Sequence, residues 1–67
     1  MTAYTYFQQG RELRQRGALG EAVAALSQAL ELEPENGKFL NERGMAYFDA
    51  GDLDRAIQDF SAAIALK

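Results

Sequence analysis

The 67-residue chain has no cysteine, no histidine and no tryptophan, and a single proline. Without Cys there is no disulfide and no thiolate nucleophile or ligand. Without His as well, zinc-finger ligation and imidazole acid–base or triad chemistry are excluded. Basic residues are few: seven Lys and Arg stand against ten Asp and Glu, a formal net charge of −3. That balance is the opposite of the basic footprint a nucleic-acid binder needs. No apolar run approaches the ~20 residues of a bilayer span, and no signal-peptide pattern opens the chain. No nucleic-acid or membrane partner is therefore expected, and the lack of a signal peptide and of Cys predicts a cytoplasmic location. What is present is an ordinary ordered composition, 48% hydrophobic and 25% charged, in a length that allows one small domain over 1–67. A chain this short buries only roughly 60% of its unfolded surface. With no disulfide or metal to help it, any apolar face left open weighs heavily.

The chain repeats itself at an offset of 34 residues. Gly10 falls on Gly44, Gly17 on Gly51, Leu19 on Leu53, Ala22 on Ala56, Ser27 on Ser61, Ala29 on Ala63 and Leu32 on Leu66, which is 7 identities in 31 aligned pairs. Tyr6/Leu40, Leu13/Tyr47, Val23/Ile57, Leu26/Phe60 and Leu30/Ile64 keep apolar character. Matches on small and apolar positions, with divergence at polar ones, describe two copies of one packing unit, about 3–36 and 37–67.

Each unit reads as two helices. Tyr6, Gly10 and Leu13 follow helical spacing, as do Leu40, Gly44 and Tyr47. A second stripe runs Ala22, Leu26, Ala29, Leu30 and is copied as Ala56, Phe60, Ala63, Ile64. Gly17 and Gly51 separate the stripes as helix C-caps. Asp52 offers an N-cap that Ala18 cannot, Asn36 caps the third helix, and Pro34 and Gly37 break the chain between units. The expectation is an all-α fold of four helices, about 3–16, 19–33, 37–50 and 53–66. Gly inside a helix costs about 1 kcal/mol against Ala. Gly10 and Gly44 therefore need a packing reason, and the expected one is that they face Ala22 and Ala56, small on small.

These features together resemble the tetratricopeptide repeat, a 34-residue helix–turn–helix unit that stacks into a solenoid. The motif's large opener matches Tyr6 and Leu40, its small residue Gly10 and Gly44, and its next large residue Leu13 and Tyr47. The interhelix Gly matches Gly17 and Gly51, the second-helix positions match Ala22, Leu26, Ala29 and Ala56, Phe60, Ala63, and the closing Pro matches Pro34. Where the family often has Leu before the small residue, Gln9 and Arg43 stand here; the resemblance offers Arg43 a candidate partner in Asp59 on the facing helix. The resemblance implies two hairpins stacked as a short right-handed α-solenoid. It also implies a non-catalytic protein–protein interaction module without cofactors, taking a protein or peptide in a concave groove lined by the first helix of each unit. The matching positions are Tyr4, Phe7, Arg11 and Arg14, then Lys38, Asn41, Met45 and Phe48. They suit a partner with apolar anchors and an acidic group; equally, they could pack against another copy of the chain. The family's carboxylate clamp is not expected, because Phe7 and Arg11 replace its first Lys/Asn pair and Glu42 takes an Asn position.

Other chemistry finds little support. Asp49, Asp52 and Asp54 fail as a calcium loop, since Gly51, Leu53 and Phe60 occupy ligand positions; they read as a cap and first-turn acids. Glu31, Glu33 and Glu35 read as a solvated linker, and Arg11, Arg14 and Arg16 are too few for RNA in an acidic chain.

A solenoid unit buries its last apolar face on the next unit. Ile57, Phe60, Ile64 and Leu66 on the final helix have nothing after them to cover them all. Leaving roughly 300 Å² wet forgoes about 7 kcal/mol at ~25 cal/mol per Å², comparable to the whole stability of a small domain. These residues form the expected self-association face, with a homodimer the simplest product and head-to-tail stacking or helix exchange as other routes. The alternative function is an excised or engineered two-repeat unit whose main property is self-assembly, with no foreign ligand.

Overall fold

The computed structural model describes residues 1–66; Lys67, the last residue of the second expected repeat, lies outside them. Four helices follow in order: α1 Ala3–Gln15, α2 Leu19–Leu32, α3 Gly37–Asp49 and α4 Leu53–Ala65. All four begin at the positions predicted from the sequence and end one residue earlier, because Arg16, Glu33, Ala50 and Leu66 are capping residues, not helical ones.

The helix ends follow from local chemistry. Thr2 Oγ1 accepts from the Thr5 amide, Asn36 Oδ1 accepts from the Lys38 and Phe39 amides, and Asp52 Oδ1 accepts from the Arg55 amide. Each satisfies an amide that a helix start leaves without a partner. Ala18 makes no such bond, so α2 begins without a side-chain cap. Gly17 and Gly51 adopt φ of +84° and +83°, the left-handed conformation an L side chain resists. In both turns the chain then closes a double bond set: Gly17 N–H to Arg14 C=O and Ala18 N–H to Leu13 C=O, and likewise Gly51 to Phe48 and Asp52 to Tyr47. The two turns are thus copies in hydrogen bonding as well as in sequence.

α1 packs on α2 and α3 on α4, so the fold is two hairpins; α3 also lies against α2 and touches α1. Among the described residues α4 packs on α3 alone. The core is continuous across the hairpins: Ala3 and Phe7 from α1, Ala22, Leu26, Ala29 and Leu30 from α2, Phe39, Leu40 and Ala46 from α3.

The glycine notches differ from the small-on-small expectation. A Cβ on Gly10 would stand 2.5 Å from Leu26 Cγ and 3.3 Å from the Ala22 carbonyl oxygen. On Gly44 it would stand 2.7 Å from the Phe60 ring, and Ala56 is not among its nearest neighbours. A large side chain fills each notch: Leu26 and Phe60 lean over backbone that carries no side chain, and burying them offsets the helix-propensity cost of glycine. Leu26 is fully enclosed, whereas Phe60 is half-buried with solvent on its far side.

That difference sets an expected order of cost. Gly10→Ala, which forces the enclosed Leu26 to move, is expected to lower stability by about 1–3 kcal/mol. Gly44→Ala is expected to cost less, because the Phe60 ring can swing outward. Urea unfolding of the two variants beside wild type measures both, and equal losses would contradict the assignment.

Candidate functional site

The first helix of each hairpin carries the residues singled out from the sequence, and packing sorts them into three groups. Phe7 does not face a ligand: it is 2% exposed. Its ring stacks on that of Phe39, with centroids 5.1 Å apart. This corrects its reading as an open groove residue. The reason is Phe39, which the repeat alignment pairs with Thr5 and therefore does not flag as apolar; an aromatic at 39 gives Phe7 a partner across the hairpins.

Arg14 is also consumed. Its guanidinium donates to the buried Glu42 carboxylate and, at 3.2 Å, to Asp49. The hydrogen bond to Glu42 is the chief reason its pKa rises above the ordinary arginine value, against the lowering effect of burial. Arg14 is thus a clasp between α1 and α3 and is not a free cation. Glu42 accordingly neutralises the Arg14 charge on this face by pairing with it.

The remaining groove residues reach the surface. Tyr4, Arg11, Lys38, Asn41, Met45 and Phe48 are exposed, Phe48 at 60%. The Tyr4 ring lies 5.8 Å from that of Phe7, and the Arg11 guanidinium sits 5.5 Å above the Phe7 ring. Phe7 is therefore a floor, with Tyr4 and Arg11 standing on it. On α3, Asn41, Met45 and Phe48 share one face at i, i+4, i+7.

A second buried pair holds the other side of α3. Arg43 Nε and Nη2 donate to the two Asp59 oxygens at 2.7 and 2.8 Å, and Nη1 donates to Ser27 Oγ at 3.2 Å. This confirms the Arg43–Asp59 pair expected from the sequence and adds Ser27, which ties α3 and α4 to α2. Among the described residues no buried side-chain nitrogen or oxygen lacks a partner. The bond to Asp59, opposed by burial, raises the Arg43 pKa above its ordinary value. The sign follows directly: a cation with a raised folded-state pKa contributes stability that is present below its unfolded pKa and is lost only in strong alkali. Both clasps therefore keep their positive partner at every ordinary pH.

On α4 and its C-cap, Ile57, Ile64 and Leu66 of the expected self-association face are exposed. Phe60 is not fully so, because it fills the Gly44 notch; Leu53, not anticipated as part of this face, is exposed beside them. The acids at the second turn do structural work: Asp49 pairs with Arg14, and Asp52 caps α4 and pairs with Arg55 at 3.0 Å. Among the described residues no group of three or more candidate ligands could hold a metal ion, and no helix is long and apolar enough to cross a membrane.

The family model described as tetratricopeptide repeat matches residues 7–67. No curated protein and no solved structure matches the chain.

Arg43→Ala strands the Asp59 carboxylate, which is 5% exposed, and is expected to cost about 3 kcal/mol. The Arg43→Ala, Asp59→Ala double variant is expected to lose less than the sum of its singles. A double-mutant cycle by denaturant unfolding gives that coupling, and additive losses would show the pair to be energetically idle.

Proposed function

This chain belongs to the tetratricopeptide repeat family, and on that premise we propose that it is a non-catalytic protein-interaction module holding a peptide or partner protein on its α1/α3 face. The observation that carries the reading is the exposure of Tyr4, Met45 and Phe48 on helices whose other faces are locked. Arg14 clasps α1 to α3 through Glu42 and Asp49, and Arg43 clasps α3 to α2 and α4. Large apolar groups on a rigid platform bind at low ordering cost. Arg11 and Lys38 take part in none of the ion pairs among the described residues. The ligand that fits is a peptide with apolar anchors and an acidic group, held by contact with Met45 and Phe48 and by charge from Arg11.

A second reading, self-assembly, is supported by an internal comparison. Leu30 on α2 is 7% exposed beneath α3, while its repeat counterpart Ile64 on α4 is 69% exposed, with no helix of the described residues above it. Association through α4 would bury what the repeat buries elsewhere, with a homodimer the simplest product.

A randomised peptide library selected on the immobilised chain tests the first reading. Selected peptides are expected to be enriched in acidic and large apolar residues, and to bind the Met45→Ala, Phe48→Ala double variant at least about tenfold more weakly, as measured by fluorescence anisotropy. Peptides whose affinity survives both substitutions would remove the groove from consideration.

A further inference from the structure

We propose that the outer face of α4 pairs with the same face of a second copy, antiparallel, about a two-fold axis passing beside Phe60 and Ser61. This rests on the self-association reading above and adds its geometry, choosing between a closed pair and an open stack.

The face is unlike an ordinary water-facing helix surface. From Ile57 to Leu66 the only charged residue is Asp59, and it is buried against Arg43. The exposed side of this stretch therefore carries no charge at all, the depletion that marks the core of an interface. Its apolar stripe is also self-complementary. Ile57, Phe60 and Ile64, with Ser61 next to Phe60, occupy positions that read the same from either end about a midpoint between 60 and 61, and their steps of 3 and 4 residues are the seam spacing of paired helices. Antiparallel pairing sets Ile57 on the partner's Ile64 and Ile64 on the partner's Ile57, the reciprocal contact a two-fold axis demands. Small, exposed Ser61 lies beside that axis and lets the helices approach; antiparallel dipoles also attract.

The competing arrangement stacks α1 of one copy on the α4 end of the next, as α3 stacks on the first hairpin. Three contacts anchor that internal stack: Phe39 on Phe7, Glu42 with Arg14, and Arg43 with Ser27. The residues of α1 in the corresponding places are Thr5, Gln8 and Gln9, and the residues they would meet are Asn41, Phe48 and Ser61. Neither the stacked rings nor the ion pair can form. The outer face of α1, where Thr5, Gln8 and Gln9 line one shallow polar depression with Glu12, offers the apolar face of another copy's α4 no apolar surface to bury against. The outer face of α1 is polar and that of α4 apolar, so copies meet α4 to α4.

Because the chain has no cysteine, single-cysteine variants report the geometry cleanly. Light scattering over a concentration series is expected to level off at a dimer mass. Ser61→Cys is expected to form a disulfide-linked dimer on mild oxidation. Ile57→Cys and Ile64→Cys are expected to link to each other when mixed, and poorly to themselves. Ile64→Lys, at a largely exposed site, is expected to weaken the dimer at least about tenfold with its helical circular dichroism intact. Mass that grows past the dimer, with Gln9→Cys linking to Ser61→Cys, would establish head-to-tail stacking and overturn the two-fold pair. A dimer that leaves Ser61→Cys unlinked and survives Ile64→Lys would place the contact on another face. A monomeric mass at high micromolar concentration would end the self-association reading itself, separately from its geometry.

Discussion

Leu26 occupies the space that a side chain on residue 10 would need, and Phe60 does the same above residue 44. These two close approaches set the distance between the helices of each hairpin. Everything stacked on the hairpins inherits that distance. With the backbones held close, Ala22, Ala29 and Ala56 are nearly or wholly without solvent contact, and a core built largely of alanine suffices because there is little gap to fill. The glycines are unfavourable for an isolated helix and necessary for this pair.

Stacking of one hairpin on the other adds a different kind of contact. Between the hairpins the chain uses a ring pair, Phe7 on Phe39, flanked by two arginines, Arg14 reaching Glu42 and Asp49 and Arg43 reaching Ser27 and Asp59. The carboxylates at 42 and 59 are buried and fully partnered. Such pairs are poor sources of net stability, yet costly to break, so they specify one register of stacking over others. They also decide what the α1/α3 face can offer. Phe7 and Arg14 are spent on the seam, and Tyr4, Arg11, Met45 and Phe48 around it are left exposed.

The two ends of the molecule are chemically opposite although the two repeats are alike. α1 turns Thr5, Gln8 and Gln9 outward where α3 turns Phe39, Glu42 and Arg43 toward the first hairpin. α4 leaves Ile57 and Ile64 open where α2 keeps Val23 and Leu30 under α3. A repeat unit is amphipathic on two sides, and divergence at a handful of positions makes the outer face of α1 polar while that of α4 stays apolar.

Helix number, starts, caps and the family itself are legible in the sequence, because periodicity, Gly17, Gly51, Asn36 and Asp52 act within a few residues of where they stand. The Arg43–Asp59 pair is legible too, since it lies within one repeat unit, where the hairpin pattern sets which residues face each other. Residues whose roles depend on the other hairpin are not. Phe7 and Arg14 have the spacing of groove residues, and only the approach of Phe39, Glu42 and Asp49 from α3 turns them into floor and clasp. The notch partners belong with these: the sequence marks Gly10 and Gly44 as exceptions, but a side chain leans along its helix, so that Leu26 and Phe60, not the alanines opposite, arrive over them. Local order is written in short-range pattern; which of two exposed-looking residues is buried is decided by surfaces that meet only when the chain has folded.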